Sequence, residues 1–136
     1  MNIIYGNILD IKEGYICHQV NCQKVAGAGL ALQIRNKWPD WYAHYLSVTQ
    51  ELGKADIYKI DTNLYVVSLY AQNYYGRDRN YTDYDALKKS LNEISHLNNL
   101  YIPYGIGAGL AGGDWDIISC IIEKTIPHAI IVKYRK

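Results

Sequence analysis

The order of apolar and polar positions along the chain predicts six strands and four helices. Short apolar runs between turn residues indicate strands at residues 3–5, 15–20, 56–60, 64–70, 100–103 and 129–132. Apolar residues at spacings of three and four indicate helices at residues 30–38, 41–52, 83–94 and 115–125. Strands and helices therefore alternate over most of the chain.

The strands at 56–60 and 64–70 are separated only by Asp61, Thr62 and Asn63, which predicts a hairpin. Strands that alternate with helices are typical of an α/β layered domain, and the hairpin makes the predicted sheet mixed. The last strand is apolar throughout, as expected of a strand that is covered on both faces. A chain of 136 residues without an internal linker predicts a single domain, residues 1–136.

Polar residues just before the helices are candidates for N-caps. Asp40, Thr82 and Asp114 each precede an apolar periodic segment, so we expect them to cap the second, third and fourth helices. Leu52 and Ile117 continue the helical spacing of their segments. We therefore expect both side chains to face the core.

Two glycine-rich segments follow predicted strands and precede predicted helices. The first contains Gly27, Ala28 and Gly29, and the second spans residues 105–113. At such a junction free backbone N–H groups converge, and the helix dipole favours negative charge. One loop of this kind is equally well explained as an ordinary turn. Two of them in one short chain suggest a clamp around a diphosphate.

Residues 107–112 formally match the G-x-G-x-x-G pattern of dinucleotide-binding folds. Those folds need an acidic residue about 20 positions later, at the end of the next strand. Here that strand leads into Lys133, Tyr134 and Arg135, and the last acidic residue is Glu123. We therefore reject a Rossmann site. Neither loop continues into Gly-Lys-Ser/Thr, so a Walker loop is absent as well.

The composition is that of an ordinary globular protein, with 49% hydrophobic and 20% charged residues. A formal net charge of +1 excludes a strong electrostatic attraction to nucleic acid. Cys17, Cys22 and Cys120 have no metal-ligand spacing and are expected to be reduced thiols in a cytoplasmic protein. The sequence shows neither a signal peptide nor a run of about 18 apolar residues, so we expect no membrane association.

Three polar side chains near the loops could take part in chemistry. His18 could transfer a proton at the reactive end of a ligand, or it could be a core histidine bonded to the backbone. Asn21 could bind sugar hydroxyls, or it could serve as a turn residue. Asp78 could act as a carboxylate partner, or it could be a solvated loop charge. No pair of histidines has metal-ligand spacing, so we expect no metal.

Four stretches cover nearly the whole chain and carry a family resemblance. They are Tyr5-Gly6-Asn7-Ile8-Leu9, His18-Gln19-Val20-Asn21-Cys22 with Gly27-Ala28-Gly29-Leu30, the segment 70–86 and the segment 102–115. In these stretches the chain resembles a macro domain, the ADP-ribose-binding α/β fold. It is most similar to the small bacterial and phage branch of phosphatases that act on ADP-ribose 1″-phosphate. The resemblance implies a three-layer α/β/α fold around a central mixed sheet.

The resemblance also implies residue roles. Asn7 and Ile8 would border the adenine, Asn21 would contact the distal ribose, and His18 would correspond to the histidine implicated in phosphate removal. The diphosphate would be held by Gly27, Ala28, Gly29, Leu30, Gly107, Ala108, Gly109, Leu110 and Ala111. His18, Asn21 and Asp78 are accordingly the candidate catalytic residues. We expect ADP-ribose or ADP-ribose 1″-phosphate as the ligand, no cofactor, no nucleic-acid partner and a monomeric protein.

The chain departs from the hydrolase branches of this family. Ala31 stands where the de-ADP-ribosylating members have a catalytic Asp. Another hydrolase branch uses a Lys in the central loop and an Asp in the second phosphate loop. In this chain the central loop reads Gln72-Asn73-Tyr74-Tyr75, without a Lys, and Ala111 stands at the position of the Asp. Asn7 stands where many members have Asp. The missing Asp and Lys residues of the hydrolase branches favour the phosphatase activity, whereas Asn7 suggests a modest affinity for the ligand. The alternatives are a non-catalytic ADP-ribose reader and a hydrolase that removes ADP-ribose from protein or nucleic acid.

Overall fold

The computed structural model describes all residues from 1 to 136. The strands are β1 (Asn2–Gly6), β2 (Gly14–Asn21), β3 (Ala55–Asp61), β4 (Leu64–Gln72), β5 (Leu100–Pro103) and β6 (Ile130–Tyr134). The helices are α1 (Gly29–Lys37), α2 (Pro39–Ser47), α3 (Tyr84–Ile94) and α4 (Trp115–Thr125), and a short 3₁₀ helix spans Ile8–Asp10. The six strands and four helices predicted from the sequence are all present.

The strands form one mixed sheet in the order β1-β6-β5-β2-β4-β3. Only β3 is antiparallel to its neighbour, and it forms the predicted hairpin with β4. The other pairs are parallel, so the carboxyl ends of five strands lie at one edge of the sheet. Because β5 is next to β2, the two glycine-rich loops that follow these strands leave the sheet side by side.

Helices cover both faces of the sheet. Successive residues of β4 point to opposite sides: Val66 packs with Trp41 and Tyr45 of α2, whereas Val67 packs with Leu87 of α3. Helix α4 joins α3 on its side, and α1 joins α2 on the other. The predicted α/β fold with a central mixed sheet is thus confirmed.

Helix α2 is shorter than predicted. It ends at Ser47, and the next residue, Val48, has an extended conformation with ψ of 154°. The chain then turns toward β3, and the Gly53 N–H donates to the Tyr70 carbonyl at 2.8 Å. Leu52 lies in this turn and is 39% exposed, so the prediction that it faces the core is wrong. Its helical spacing to the preceding apolar residues is incidental.

Two of the three predicted N-caps are wrong. Helix α2 begins at Pro39, which needs no partner for an N–H, so Asp40 lies inside the first turn. Helix α3 is capped by the carboxylate of Asp83 and not by Thr82, whose hydroxyl donates instead to the Gly107 carbonyl. Asp114 caps α4 as predicted, with its carboxylate accepting a backbone N–H of the first turn.

Helix α4 buries a narrower face than the sequence predicts. Ile118 and Ile122 are fully buried against the sheet, but Ile117 is 44% exposed because it lies on the outer side of the helix.

None of the helices combines the length and the apolar character needed to cross a membrane.

Candidate functional site

A cleft of about 560 Å³ opens at the carboxyl edge of the sheet, between the loops that follow β2, β4 and β5. Most of the predicted ligand residues line it, namely His18, Asn21, Gly27, Ala28, Gly29, Leu30, Gly107, Gly109, Leu110 and Ala111. Asn7, Ile8, Ala108 and Asp78 do not line it. The fold therefore brings the two glycine-rich loops, 80 residues apart in sequence, to one cavity.

The start of α1 presents free backbone donors to this cleft. Ala28 precedes the helix, and its methyl group cannot cap the first turn. The first backbone bond at this end runs from the Leu32 N–H to the Ala28 carbonyl, at 3.3 Å. The N–H groups of Gly29, Leu30 and Ala31 therefore have no acceptor within the protein. Together with the helix dipole, they favour an anion at this point.

The loop after β5 folds into consecutive tight turns. Backbone bonds of 2.8 to 3.1 Å join Ala108 to Gly105, Gly112 to Gly109 and Gly113 to Gly107. These turns leave five cleft-lining N–H groups without an acceptor, those of Gly105, Gly107, Gly109, Leu110 and Ala111. A row of free N–H groups in a turn-rich loop is an anion-binding concavity.

The two loops touch each other across the cleft. Gly29 has φ of +59°, and a Cβ placed on it would lie 3.2 Å from Leu110 Cδ1. A side chain at Gly29 would therefore need both an unfavourable backbone conformation and a shift of Leu110. The contact fixes the separation of the two sets of backbone donors.

A buried polar network holds the second loop against the sheet. The Thr82 hydroxyl donates to the Gly107 carbonyl at 2.7 Å, and the Gln19 amide donates to Thr82 Oγ1 at 2.9 Å and to Gln72 Oε1 at 2.8 Å. Gln19 and Gln72 line the cleft near the ends of β2 and β4. Sequence reasoning missed both glutamines, although their place at the carboxyl ends of two strands was a usable signal.

His18 is a neutral side chain in the wall of the cleft. It is 1% exposed, and burial lowers its pKa to about 3. The Trp41 indole N–H donates to Ser68 Oγ at 3.1 Å, and Ser68 Oγ lies 3.5 Å from His18 Nε2, a contact whose donor is set by the imidazole tautomer. The other ring nitrogen, Nδ1, has no partner in the protein.

Asn21 spends most of its hydrogen-bonding capacity on its own loop. Its Oδ1 accepts from the N–H groups of Gln23 and Val25 and from the Tyr45 hydroxyl, at 2.9, 3.3 and 3.2 Å. Its Nδ2 donates to the Val25 carbonyl at 2.9 Å, which leaves one amide proton for a ligand. Asn21 thus both shapes the first loop and lines the cleft.

Asp78 lies on the solvent side of the loop that follows β4. Its carboxylate accepts the Tyr81 hydroxyl at 2.5 Å and is paired with Arg79 at 3.5 Å. The Tyr81 hydrogen bond is the main cause that lowers the pKa of this carboxyl. The structure does not bring Asp78 together with His18 and Asn21 in the cleft wall.

The two residues predicted to border adenine follow β1. Asn7 Oδ1 accepts the Leu9 N–H at 2.9 Å and so caps the 3₁₀ helix, while Ile8 is 6% exposed and belongs to the core. Both lie outside the cleft lining. β1 is two strands away from β5, so any ligand that reaches these residues must extend along the sheet edge.

The cleft is lined almost entirely by uncharged side chains. None of the lining residues is an Asp or a Glu, and the only ionised side chain among them is that of Arg77. His18 adds no charge at neutral pH because its pKa is low. No group of His, Cys, Asp and Glu side chains is arranged to hold a metal ion. Attraction to an anion thus comes from backbone N–H groups and one arginine.

Fold and cleft together define an α/β domain with a cavity, lined by free backbone N–H groups, at the carboxyl edge of its sheet. No family model matches the chain, and no curated protein sequence matches it. Solved structures do, and they identify the fold as that of macrodomains. A Streptomyces coelicolor macrodomain is 20% identical over 99% of both chains, with a TM-score of 0.76.

Two further structures are similar over almost the whole chain. A Bacteroides thetaiotaomicron protein is 26% identical over 99% of both chains, with a TM-score of 0.79. Thermosipho africanus DarTG, solved in complex with ADP-ribose, is 17% identical with a TM-score of 0.80, and the match covers 98% of this chain and 42% of that one. The likeness establishes the fold on which the cleft is built.

Proposed function

We propose that the cleft binds ADP-ribose, with the diphosphate between the two glycine-rich loops. The observation that carries this proposal is the convergence of free N–H groups from residues 29–31 and from the loop after β5 on one cavity without a carboxylate. Such donors match the oxygens of a diphosphate and attract its charge. The ADP-ribose complex of a protein with the same fold supports this choice of ligand.

The sheet order suggests how the ligand lies. The adenine would be at the β1 side, near Asn7 and Ile8, and the distal ribose would be at the β2 side, near Asn21. Asn7 Oδ1 is engaged by Leu9, so its Nδ2 would be the group that is free to contact the base. The remaining proton of the Asn21 amide would donate to a ribose hydroxyl.

The finer proposal is that the protein converts ADP-ribose 1″-phosphate and water to ADP-ribose and phosphate. Water would attack the phosphorus, and the bond between phosphorus and the C1″ oxygen would break. The leaving oxygen would take up a proton. His18 is the cleft group suited to handle protons, because Nδ1 has no partner in the protein and Nε2 lies 3.5 Å from the Ser68 hydroxyl oxygen. The loop N–H groups would stabilise the charge that builds on the phosphate.

A non-catalytic reader is the second candidate, and one observation favours it. The cleft offers no carboxylate, and its only imidazole is uncharged at neutral pH. General acid–base groups work best with a pKa near the operating pH, so His18 would be a weak catalyst in the empty cleft. Asp78 could join the chemistry only if its loop moved inward.

Calorimetric titration with ADP-ribose tests the binding site through a matched pair of variants. Gly109 lines the cleft and has an ordinary φ, and a Cβ on it meets nothing within 4 Å, so a side chain there can be accommodated without strain. Gly109→Glu and Gly109→Gln differ in charge alone. We expect Glu to weaken binding by about tenfold or more relative to Gln, because it repels the diphosphate. Equal affinity of both variants and the wild type would place the diphosphate elsewhere.

Phosphate release from ADP-ribose 1″-phosphate separates the enzyme from the reader. The phosphatase proposal predicts release by the wild type that falls about 100-fold or more in His18→Gln, the range of a lost acid–base group. Binding of ADP-ribose without any release would establish the reader. Release that is unchanged in His18→Gln would remove His18 from the mechanism.

A further inference from the structure

We propose that Arg77 reads the terminal phosphate and makes the cleft select ADP-ribose 1″-phosphate over ADP-ribose. This inference rests on the proposed function. Arg77 supplies the only ionised side chain that lines the cleft. It makes no ion pair with a carboxylate and does not stack on an aromatic ring. Its guanidinium is therefore free for a ligand.

The next arginine in the same loop shows the contrast. Arg79 is paired with the Asp78 carboxylate at 3.5 Å and lies 5.6 Å from the centre of the Tyr81 ring. It does not line the cleft. Of the two arginines in this loop, Arg77 therefore lines the cavity without a carboxylate partner, whereas Arg79 is paired at the surface.

The topology places Arg77 at the distal end of the proposed ligand. Arg77 follows β4, which lies next to β2 and on the far side of it from β1. If the adenine is at the β1 side, the distal ribose and anything attached to C1″ point toward β4. His18 and Asn21, near the end of β2, are the strand residues on the way.

The chemistry of the two ligands makes Arg77 the discriminating group. ADP-ribose and its 1″-phosphate share the diphosphate, so the backbone clamp holds both to the same extent. They differ by a dianionic phosphate in place of a hydroxyl. A guanidinium can donate two parallel hydrogen bonds to phosphate oxygens, which a lone hydroxyl cannot accept. The other cleft-lining residues of its loop, Tyr75 and Gly76, are neutral, and the carboxylate of the adjacent Asp78 is paired with Arg79 outside the cleft lining.

The test compares two ligands by calorimetry, ADP-ribose and its C1″-phosphonomethyl analogue, which cannot lose its phosphorus group by hydrolysis. We expect Arg77→Gln to weaken binding of the phosphonate by about 10- to 100-fold, as for a charge-assisted pair, and binding of ADP-ribose by less than about threefold. Arg79→Gln is the matched control and should leave both affinities unchanged. Arg77→Lys keeps the positive charge but loses the two parallel N–H donors of the guanidinium. Its affinity for the phosphonate should therefore lie between those of the wild type and Arg77→Gln.

Each other outcome has a distinct meaning. An equal loss for both ligands in Arg77→Gln would place Arg77 on the diphosphate and overturn the selectivity. No loss for either ligand would remove Arg77 from the site. A wild-type protein that binds neither ligand would refute the proposed function itself, because the backbone clamp does not depend on Arg77.

Discussion

Replacing His18 by Gln should remove a specific pH dependence from the stability of the fold. Burial lowers the pKa of His18 from 6.5 to about 3, and no charged neighbour contributes to the shift. Below pH 6.5 the unfolded chain takes up a proton that the native state refuses. The free energy of unfolding therefore falls as the pH drops from 6.5 toward 3, and the contribution is constant above 6.5. Between pH 8 and pH 4.5 the loss is about 2 to 3 kcal/mol, at about 1.4 kcal/mol per pH unit.

Urea unfolding followed by tryptophan fluorescence at several pH values between 4.5 and 8 measures this effect. Carboxylates also titrate in this range, so the relevant quantity is the difference between wild type and His18→Gln. As the pH falls, the free energy of unfolding should decrease less in His18→Gln than in the wild type. His96 is exposed, and its Gln variant is the matched control, which should follow the wild type. A wild-type and a His18→Gln curve that stay parallel down to pH 4.5 would show that His18 is not held neutral by burial.

Three further substitutions test the polar supports of the cleft. Thr82→Val should cost about 1 to 3 kcal/mol in urea unfolding, because it leaves the Gly107 carbonyl without its hydroxyl donor, and ADP-ribose affinity should fall with it. Retained affinity would mean that the loop does not need this bond. Tyr45→Phe removes the hydroxyl that donates to the Asn21 carbonyl at 2.9 Å; calorimetry should show weaker ADP-ribose binding at an unfolding cost of about 1 kcal/mol. Asp78→Asn should leave any phosphate release within about twofold, because this carboxylate is outside the cleft lining, and a loss of 100-fold would restore it to the mechanism.

Periodicity and glycine placement predicted the framework from sequence. The strands, the helices and the hairpin follow from apolar spacing, and the order of strands and helices fixes the α/β class. The glycine loops were found because strand-to-helix junctions with small residues leave backbone N–H groups free. Apolar spacing and glycine placement involve residues that are close together in sequence, so they can be recognised without knowledge of the tertiary fold. Errors such as Leu52 arose where one apolar residue matched a helical spacing by coincidence.

The side-chain partners could not be predicted, because they depend on residues far apart in sequence. Thr82 has the residue type and position of an N-cap, and only the tertiary fold brings it to Gly107, 25 residues later. The burial that makes His18 neutral includes packing against Trp41 of α2, which lies 23 residues later in the chain. The pairing of Arg79 with Asp78, next to an Arg77 that lines the cavity, is likewise a matter of three-dimensional arrangement.

Helix α2 explains how two polar residues of β2 come to share one site without contacting each other. Residues three apart in a regular strand point to opposite faces, yet both His18 and Asn21 reach partners on the α2 side. The strand pairing shifts register between Val20 and Asn21, where Ala71 of β4 is the extra residue, and Asn21, the last residue of β2, contacts Tyr45 on that side. Trp41 and Tyr45, four apart on α2, then orient the two residues, Trp41 through Ser68 and Tyr45 directly. Neither aromatic side chain lines the cleft, so its polar wall is positioned from the hydrophobic core behind it.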